Sequence, residues 1–343
     1  MYCVMPTANQ REALDRHTSE MVALGIAEQT AKRYGTGARA FVRFATFYQY
    51  TPVMPATDMA LATFVSFQSQ SCTHDTLWNY MAHIRDMHLR SGLAFKPIAE
   101  RWLVKSALTG ICRAFGTQKN KKMAITVKML LRMRSAIDNG FATKYNHTDG
   151  AVRCVWAAIL IGFFGMLRKD NIASGKARTF DLNHCLIRGD LVFVPQTQAL
   201  WLRCRFGKTN QFRERMHIVP LQHSGGKLCP VTAYNAHVMD FPSGSILQPA
   251  FMCDVKGRRT ALSHTFLVKV LKQLLTDAGE SPELFSGHSL RRGGATLAFA
   301  MGVHASYVMV LGDWASLAVL GYNDAQTDFL QCLPQWMAQA ANL

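Results

Sequence analysis

The sequence predicts an α+β protein in two parts: an all-α N-terminal domain, then a mixed helical domain holding a small antiparallel sheet. Three observations predict it. Residues 1–115 repeat apolar side chains at helical spacing. The stretch CLIRGDLVFVP, and ALWLRCRFGKTNQFRERMHIVPL after it, alternate instead and carry glycine turns. Between the two parts runs GTQKNKKMAITVKMLLRMR, polar at its start, with six basic and no acidic residues from Lys119 to Arg134. The chain of 343 residues suits two domains of ordinary size, and its 49% hydrophobic content can fill a core.

The elements follow in order. AEQTAKRYGTGARAFVRFATFYQY sets Ala31, Tyr34, Ala38, Phe41, Val42 and Phe44 at roughly helical intervals. TPVMPATDMALATFVSFQSQ starts a new helix after its prolines, with Thr57 or Asp58 as cap. HDTLWNYMAHIRDMHLRSG and IAERWLVKSALTGICRAFG continue, giving four or five helices over 1–115. Residues 116–124 read as a basic linker and 125–343 as the second domain. That domain opens with an apolar helix, VRCVWAAILIGFFGMLRKDNI. The Gly-Asp pair of CLIRGDLVFVP reads as a hairpin turn, and two further strands flank a turn at Gly207–Gln211. After Pro230 the pattern is mostly helical.

The charge narrows the function. The net is +16, which points to a polyanion: nucleic acid first, an anionic membrane second. Residues 1–115 hold 12 Lys and Arg against 8 Asp and Glu, and residues 116–343 hold 26 against 14, so the second domain should own most phosphate contacts. No strongly basic amphipathic helix and no bilayer-length apolar run favours a membrane. The beginning of the chain lacks the pattern of a secretion signal. Nine scattered cysteines without a CxxC pair read as reduced thiols, and no local spacing suggests a metal site. The expected setting is intracellular: nuclear in a eukaryote, otherwise cytoplasmic.

GHSLRRGGATLAFAMGV, from Gly287 to Val303, places a histidine and two arginines at the mouth of an apolar run. On a helix His288 shares a face with Arg291, three residues on, or with Arg292, four on; spacing does not choose. A guanidinium at a helix start suits an anion. The glycines at 293 and 294 allow close helix packing or a tight approach to the helix.

This segment and LGDWASLAVLGY resemble the last two catalytic boxes of the tyrosine recombinases, the phage-integrase family, and their wording is most like recombinases of eukaryotic mobile elements of the DIRS and crypton type. The resemblance implies His288 and Arg291 in the His-x-x-Arg box, Trp314 in GDW, and Tyr322 as nucleophile. FFGMLRKDNI resembles the box of the first catalytic arginine, Arg168, and FGKTNQFRER the hairpin turn of the catalytic lysine, Lys208. The boxes stand in family order, and the all-α part matches the family's core-binding domain. One departure is Asn171, where many members carry an acid three places after the first arginine.

What the resemblance implies is DNA strand exchange through a 3′-phosphotyrosine, with no metal or nucleotide cofactor, by a homotetramer on two double-stranded DNA sites. Arg168 and Arg291 would hold the phosphate oxygens, Lys208 protonate the leaving 5′-oxygen, His288 relieve Tyr322 of its proton, and Trp314 donate from its indole nitrogen. Lys119, Lys121, Lys122 and Arg292 are expected to touch DNA. The apolar end TDFLQCLPQWMAQAANL would dock on a neighbouring subunit through residues such as Phe329 and Trp336. Two rival readings are a domesticated DNA-binding protein without turnover and a type IB topoisomerase.

Overall fold

A computed structural model of the chain describes residues 8–117, 121–175, 180–207, 210–212, 214–242, 244–255 and 257–322, the last with backbone only. The chain divides into two compact units, Met1–Asn120 and Lys121–Leu343, so the division falls inside the basic stretch.

Among the described residues the first unit holds five helices: α1 (Ala8–Leu24), α2 (Glu28–Phe47), α3 (Asp58–Gln68), α4 (His74–Arg90) and α5 (Trp102–Phe115). Thr57 caps α3, its hydroxyl accepting from the Ala60 amide at 3.2 Å. The core gathers Phe41, Phe44, Leu61, Phe64, Met81 and Leu108. Phe41 meets Phe64 edge-to-face at 5.4 Å between centroids. Of the predicted α2 face, Phe41 and Phe44 are buried, while Ala31 and Val42 are exposed. Packing chose a narrower stripe than the spacing offered. Buried His88 ties the unit together: its Nε2 accepts from the Ala56 amide at 2.8 Å, and its Nδ1 donates to the Ile84 carbonyl at 2.8 Å. Those two bonds fix its tautomer.

The second unit is built around α8 (Asp149–Phe164), capped by Thr148 and buried almost throughout. A helix apolar on all sides is stable only inside a protein, and each fully buried Ile or Leu there contributes roughly 1.5–3 kcal/mol. Packed with it are α6 (Val127–Asp138), α7 (Phe141–Lys144), α9 (Lys169–Ile172), α10 (Pro230–Asp240), α11 (His264–Asp277), α12 (His288–Ala300) and α13 (Ala305–Gly312). A three-stranded antiparallel sheet runs β1 (Leu191–Val194), β2 (Ala199–Cys204), β3 (His217–Gln222), with β2 in the middle. Pro220 is tolerated because β3 is an edge strand of this sheet.

Three sequence expectations need correction. Gly189–Asp190 is not a hairpin turn; Arg188–Asp190 forms a 3₁₀ turn ahead of β1. The Asp190 carboxylate is buried, accepting from the Ile187 amide at 3.0 Å and from Arg205 at 2.8 Å, which ends the turn rather than reversing the chain. The region after Pro230 is less helical than expected, because β4 (Met252–Val255) and β5 (Arg258–Ala261) form a hairpin across Gly257, which has φ +73°. The sequence between the two strands lacks the Asn-Gly or Asp-Gly signature that marks such turns. Finally, the apolar helix does not run on through Leu167–Arg168. It stops at Phe164, and the chain turns through Met166 at φ +48°.

Among the described residues no helix is long and apolar enough to cross a membrane.

Candidate active site

That early stop of α8 builds the first half of the site. Arg168 lands as the residue before α9, in extended conformation, and its side chain turns into a cleft instead of out along a helix. Met166 lies beyond the end of α8, so its carbonyl is outside the helix ladder and open to another donor. Arg291 Nη1 donates to it. One turn of chain therefore aims one arginine and anchors another.

The second half comes from α12. His288 opens the helix and Arg291 sits one turn later, 4% exposed. Gly293 and Gly294 settle the two uses left open by the sequence: they serve close packing. A Cβ at Gly293 would lie 2.1 Å from the Ile125 carbonyl oxygen, and one at Gly294 2.1 Å from that of Phe163. Side chains can yield; backbone carbonyls of packed elements cannot. The glycines thus press α12 onto the end of α8, which brings Arg291 within reach of Met166. Of the first amides of α12, His288 donates to Ser286 Oγ at 3.3 Å and Ser289 to the Ser286 carbonyl at 2.9 Å. Those two amides are therefore already committed within the chain.

Trp314 completes this half. Arg291 lies over its indole at 3.6 Å from the ring centroid, a cation–π contact. The ring packs with Met166, Ala295, Val308 and Val319. Gly312 is required beneath it: a Cβ there would fall 1.7 Å from the indole.

Asp313 takes the left-handed conformation, φ +56°, ψ +53°, at the end of α13, and is buried. Arg168 reaches it twice, Nη1 to Oδ2 at 3.4 Å and Nη2 to its carbonyl at 3.3 Å. Arg215 donates to the other carboxylate oxygen. Nearby, His217 Nε2 donates to the Leu311 carbonyl at 3.0 Å. Burial lowers the pKa of His217, Asp313 opposes that, and Arg215 and Arg291 add to the lowering.

The β2–β3 turn lies against the same cleft. Gly207 and Asn210 close it, and the Asn210 amide donates to the Arg205 and Arg215 carbonyls. Asn171 donates to the Phe206 carbonyl at 2.9 Å. The residue standing in place of the family's acid therefore binds the hairpin, which an ionised carboxylate, an acceptor only, cannot do.

Arg168 and Arg291 thus line one cleft, with Trp314 stacked on the second. His288 is an exposed residue on the helix of Arg291. Desolvation lowers its pKa, Asp170 opposes, and Lys169, Arg291 and Arg168 lower it further. Lys208, Lys119 and the side chain of Tyr322 lie outside the described residues, as does the apolar C-terminal stretch from residue 327; the Tyr322 backbone ends a 3₁₀ segment, Leu317–Tyr322. Lys121 is exposed. Arg292 donates to the Lys122 carbonyl at 2.9 Å, and Lys122 Nζ to the Glu283 carbonyl at 2.7 Å, so both pin the linker's end onto the second unit. Sequence reasoning gave no role to Asp313, Arg215, Asn210 or His217. For Asp313 a signal existed: it is the lone acid in the apolar run SYVMVLGDWASLAVLGY, and an acid in such a place needs a partner.

No protein-family model matches the chain. It is 23% identical to an integrase/recombinase XerD homologue of Selenomonas ruminantium over 290 residues, 82% of this chain and 77% of that protein. Among solved structures it resembles the XerH site-specific recombinase bound to its palindromic difH substrate, with a TM-score of 0.60 at 15% identity, over 89% of this chain and 79% of that one. A lambda integrase dimer bound to a core site matches with a TM-score of 0.54 at 14% identity, over 92% and 95% of the two chains. The Tn1549 transposon integrase in complex with transposon right-end DNA matches with a TM-score of 0.54 at 10% identity, over 90% and 99%. The fold is that of the tyrosine recombinases.

Proposed function

We propose that the chain is a site-specific DNA recombinase of the tyrosine type, serving a mobile element of the DIRS or crypton kind and working as a tetramer on two duplexes. The observation that carries this reading is the meeting of Arg168 and Arg291 in one cleft, from segments 123 residues apart, with Trp314 stacked on the second.

The chemistry follows from charge. A phosphodiester is anionic, and its five-coordinate transition state gathers more negative charge on the non-bridging oxygens. Two guanidiniums stabilise that charge with little rearrangement, because both are held in the cleft before substrate arrives, Arg291 by its socket and Arg168 by Asp313. Tyr322 attacks phosphorus as its proton leaves to His288. Burial lowers the pKa of His288, which favours the neutral ring, the form with a nitrogen free to accept a proton. The new Tyr–phosphorus bond forms as the phosphorus–O5′ bond breaks, and Lys208 gives its proton to the leaving 5′-oxygen. The linkage keeps its energy in the phosphotyrosine, and a 5′-hydroxyl of the partner strand reverses the step. Trp314 holds the plane of Arg291, and its Nε1–H can donate to a phosphate oxygen but never carries a proton. Lys119, Lys121, Lys122 and Arg292 contribute to the basic surface along the linker.

The test uses nicked duplexes tiled across the DNA flanking the gene, incubated with the purified protein and run on a denaturing gel. A protein–DNA adduct is expected from the wild type and none from Tyr322→Phe. No adduct on any duplex, or one that survives Tyr322→Phe, overturns the reading. Relaxation of any supercoiled plasmid without a required site identifies a topoisomerase instead.

A further inference from the structure

We propose that Asp313 is a positioning residue that aims Arg168 and brings Arg215 to the site as a third phosphate-facing cation, standing in for the phosphate while no DNA is bound. The inference deepens the recombinase reading and rests on it.

Three observations lead there. The two carboxylate oxygens of Asp313 divide between two arginines, Oδ2 to Arg168 and Oδ1 to Arg215, while its backbone carbonyl takes a second bond from Arg168. Arg168 is thus gripped at both terminal nitrogens by one residue, and three of its five N–H donors remain for a substrate. The grip is also flanked. A Cβ at Gly207, the residue before Lys208, would lie 3.3 Å from Asp313 Oδ2 and 3.6 Å from Arg168 Nη1. The β2–β3 turn therefore lies beside the Asp313–Arg168 pair and lines the same cleft. Lastly, the backbone is committed to this geometry. Asp313 adopts the left-handed conformation, which Asp and Asn accept and most residues resist.

The electrostatic reason is repulsion. Arg168, Arg215 and Arg291 are drawn toward one cleft, where their like charges would push the mobile ones outward before DNA arrives. Arg291 is fixed by the Met166 carbonyl and the Trp314 ring, so it cannot move. Arg168 and Arg215 have no such socket among their described contacts. Their anchor is the carboxylate, which is 10% exposed while the Arg215 side chain is 53% exposed. A buried carboxylate with an exposed guanidinium upon it holds that guanidinium at the rim, where a DNA strand passes. Two cations and one anion leave one positive charge there, so the cluster still attracts phosphate.

The test compares Asp313→Asn, Arg215→Ala and the double variant. Asn keeps the size and the left-handed backbone, and Arg215 is exposed enough that its loss leaves the fold intact. On the duplex that gives a wild-type adduct, Asp313→Asn should slow adduct formation about 30-fold with duplex affinity unchanged or tighter, the split expected when positioning rather than binding is lost. Arg215→Ala should slow it about 10-fold alone and less than about 2-fold in the Asp313→Asn background, because the two act as one unit. Asp313→Asn within about 3-fold of wild type, or Arg215→Ala costing the same in both backgrounds, overturns the inference. A second measurement needs no turnover: 50 mM sulfate, a probe on the order of cellular salt, should raise the melting temperature of Asp313→Asn more than that of the wild type. With the carboxylate gone, the arginines take the anion instead. An equal response in both proteins counts against the inference. No wild-type adduct counts against the recombinase reading, and the sulfate comparison then decides the inference by itself.

Discussion

The two arginines of the cleft are held by opposite means. Arg291 is buried in a socket of neutral parts: a backbone carbonyl and an indole face, both fixed by close helix packing. Arg168 is held by charge, on a carboxylate shared with an exposed arginine. The first arrangement draws its rigidity from the core and changes little with salt. The second draws it from a largely buried ion pair whose other partner, Arg215, stands at the rim, where an incoming phosphate competes for it. A site with one fixed and one exchangeable cation is pre-formed on one side and responsive on the other.

The contrast breaks most readily at the packed side. Gly294→Ala should destabilise the second unit by about 3 kcal/mol or more, because its Cβ would stand 2.1 Å from a backbone oxygen of α8. Urea unfolding reads this, and a midpoint equal to wild type would mean that α12 can shift away from α8. Changes at Arg215 should leave the midpoint unmoved.

Acid should come next in size. Buried His237 has its pKa lowered to about 4, chiefly by burial and then by Arg188; His217 and His288 are lowered too. The unfolded chain therefore binds more protons below pH 6.5 than the folded chain does. Stability is full above about pH 6.5 and falls as pH drops toward 4, by about 3 kcal/mol for His237 fully titrated. Urea midpoints at pH 7.5, 6 and 5 measure it. A midpoint that rises in acid would contradict the neutral, buried histidine. His217→Gln should remove its share of the slope, because that ring joins β3 to the end of α13 on the responsive side.

The smallest of the three effects concerns the indole. Trp314→Phe keeps a ring face under Arg291 but loses Nε1–H, and adduct formation should slow about 10-fold. Trp314→Ala removes the face as well and should cost about 100-fold. Single-turnover gel assays separate these. Equal rates for Phe and Ala would show that the face does nothing for Arg291.

Much of this protein was legible before any coordinates. The helical period of the first unit, the apolar α8 and the alternating strands around Gly207 all lie in local spacing. The cap of α3 was narrowed to Thr57 or Asp58 by the sequence, and the structure chooses Thr57. The placement of Lys208 and of the Tyr322 side chain stays with the resemblance that named them. The Gly-Asp turn was misread because its acid folds inward onto Arg205, a partner fifteen residues away. The β4–β5 hairpin was missed because the sequence between its strands carries no Asn-Gly or Asp-Gly mark.

Local periodicity and net charge are additive over neighbouring residues, and the sequence by itself therefore settled the all-α first unit, the mixed second unit and the basic character of the linker. The sockets are not additive in that way. That Gly293 and Gly294 bring two backbones together, that Met166 offers its carbonyl to Arg291, and that Asp313 divides itself between Arg168 and Arg215 depend on which distant segments touch. Only packing decides that, because a hydrogen bond or an ion pair acts over a few ångströms while its partners here stand about a hundred residues or more apart in the chain.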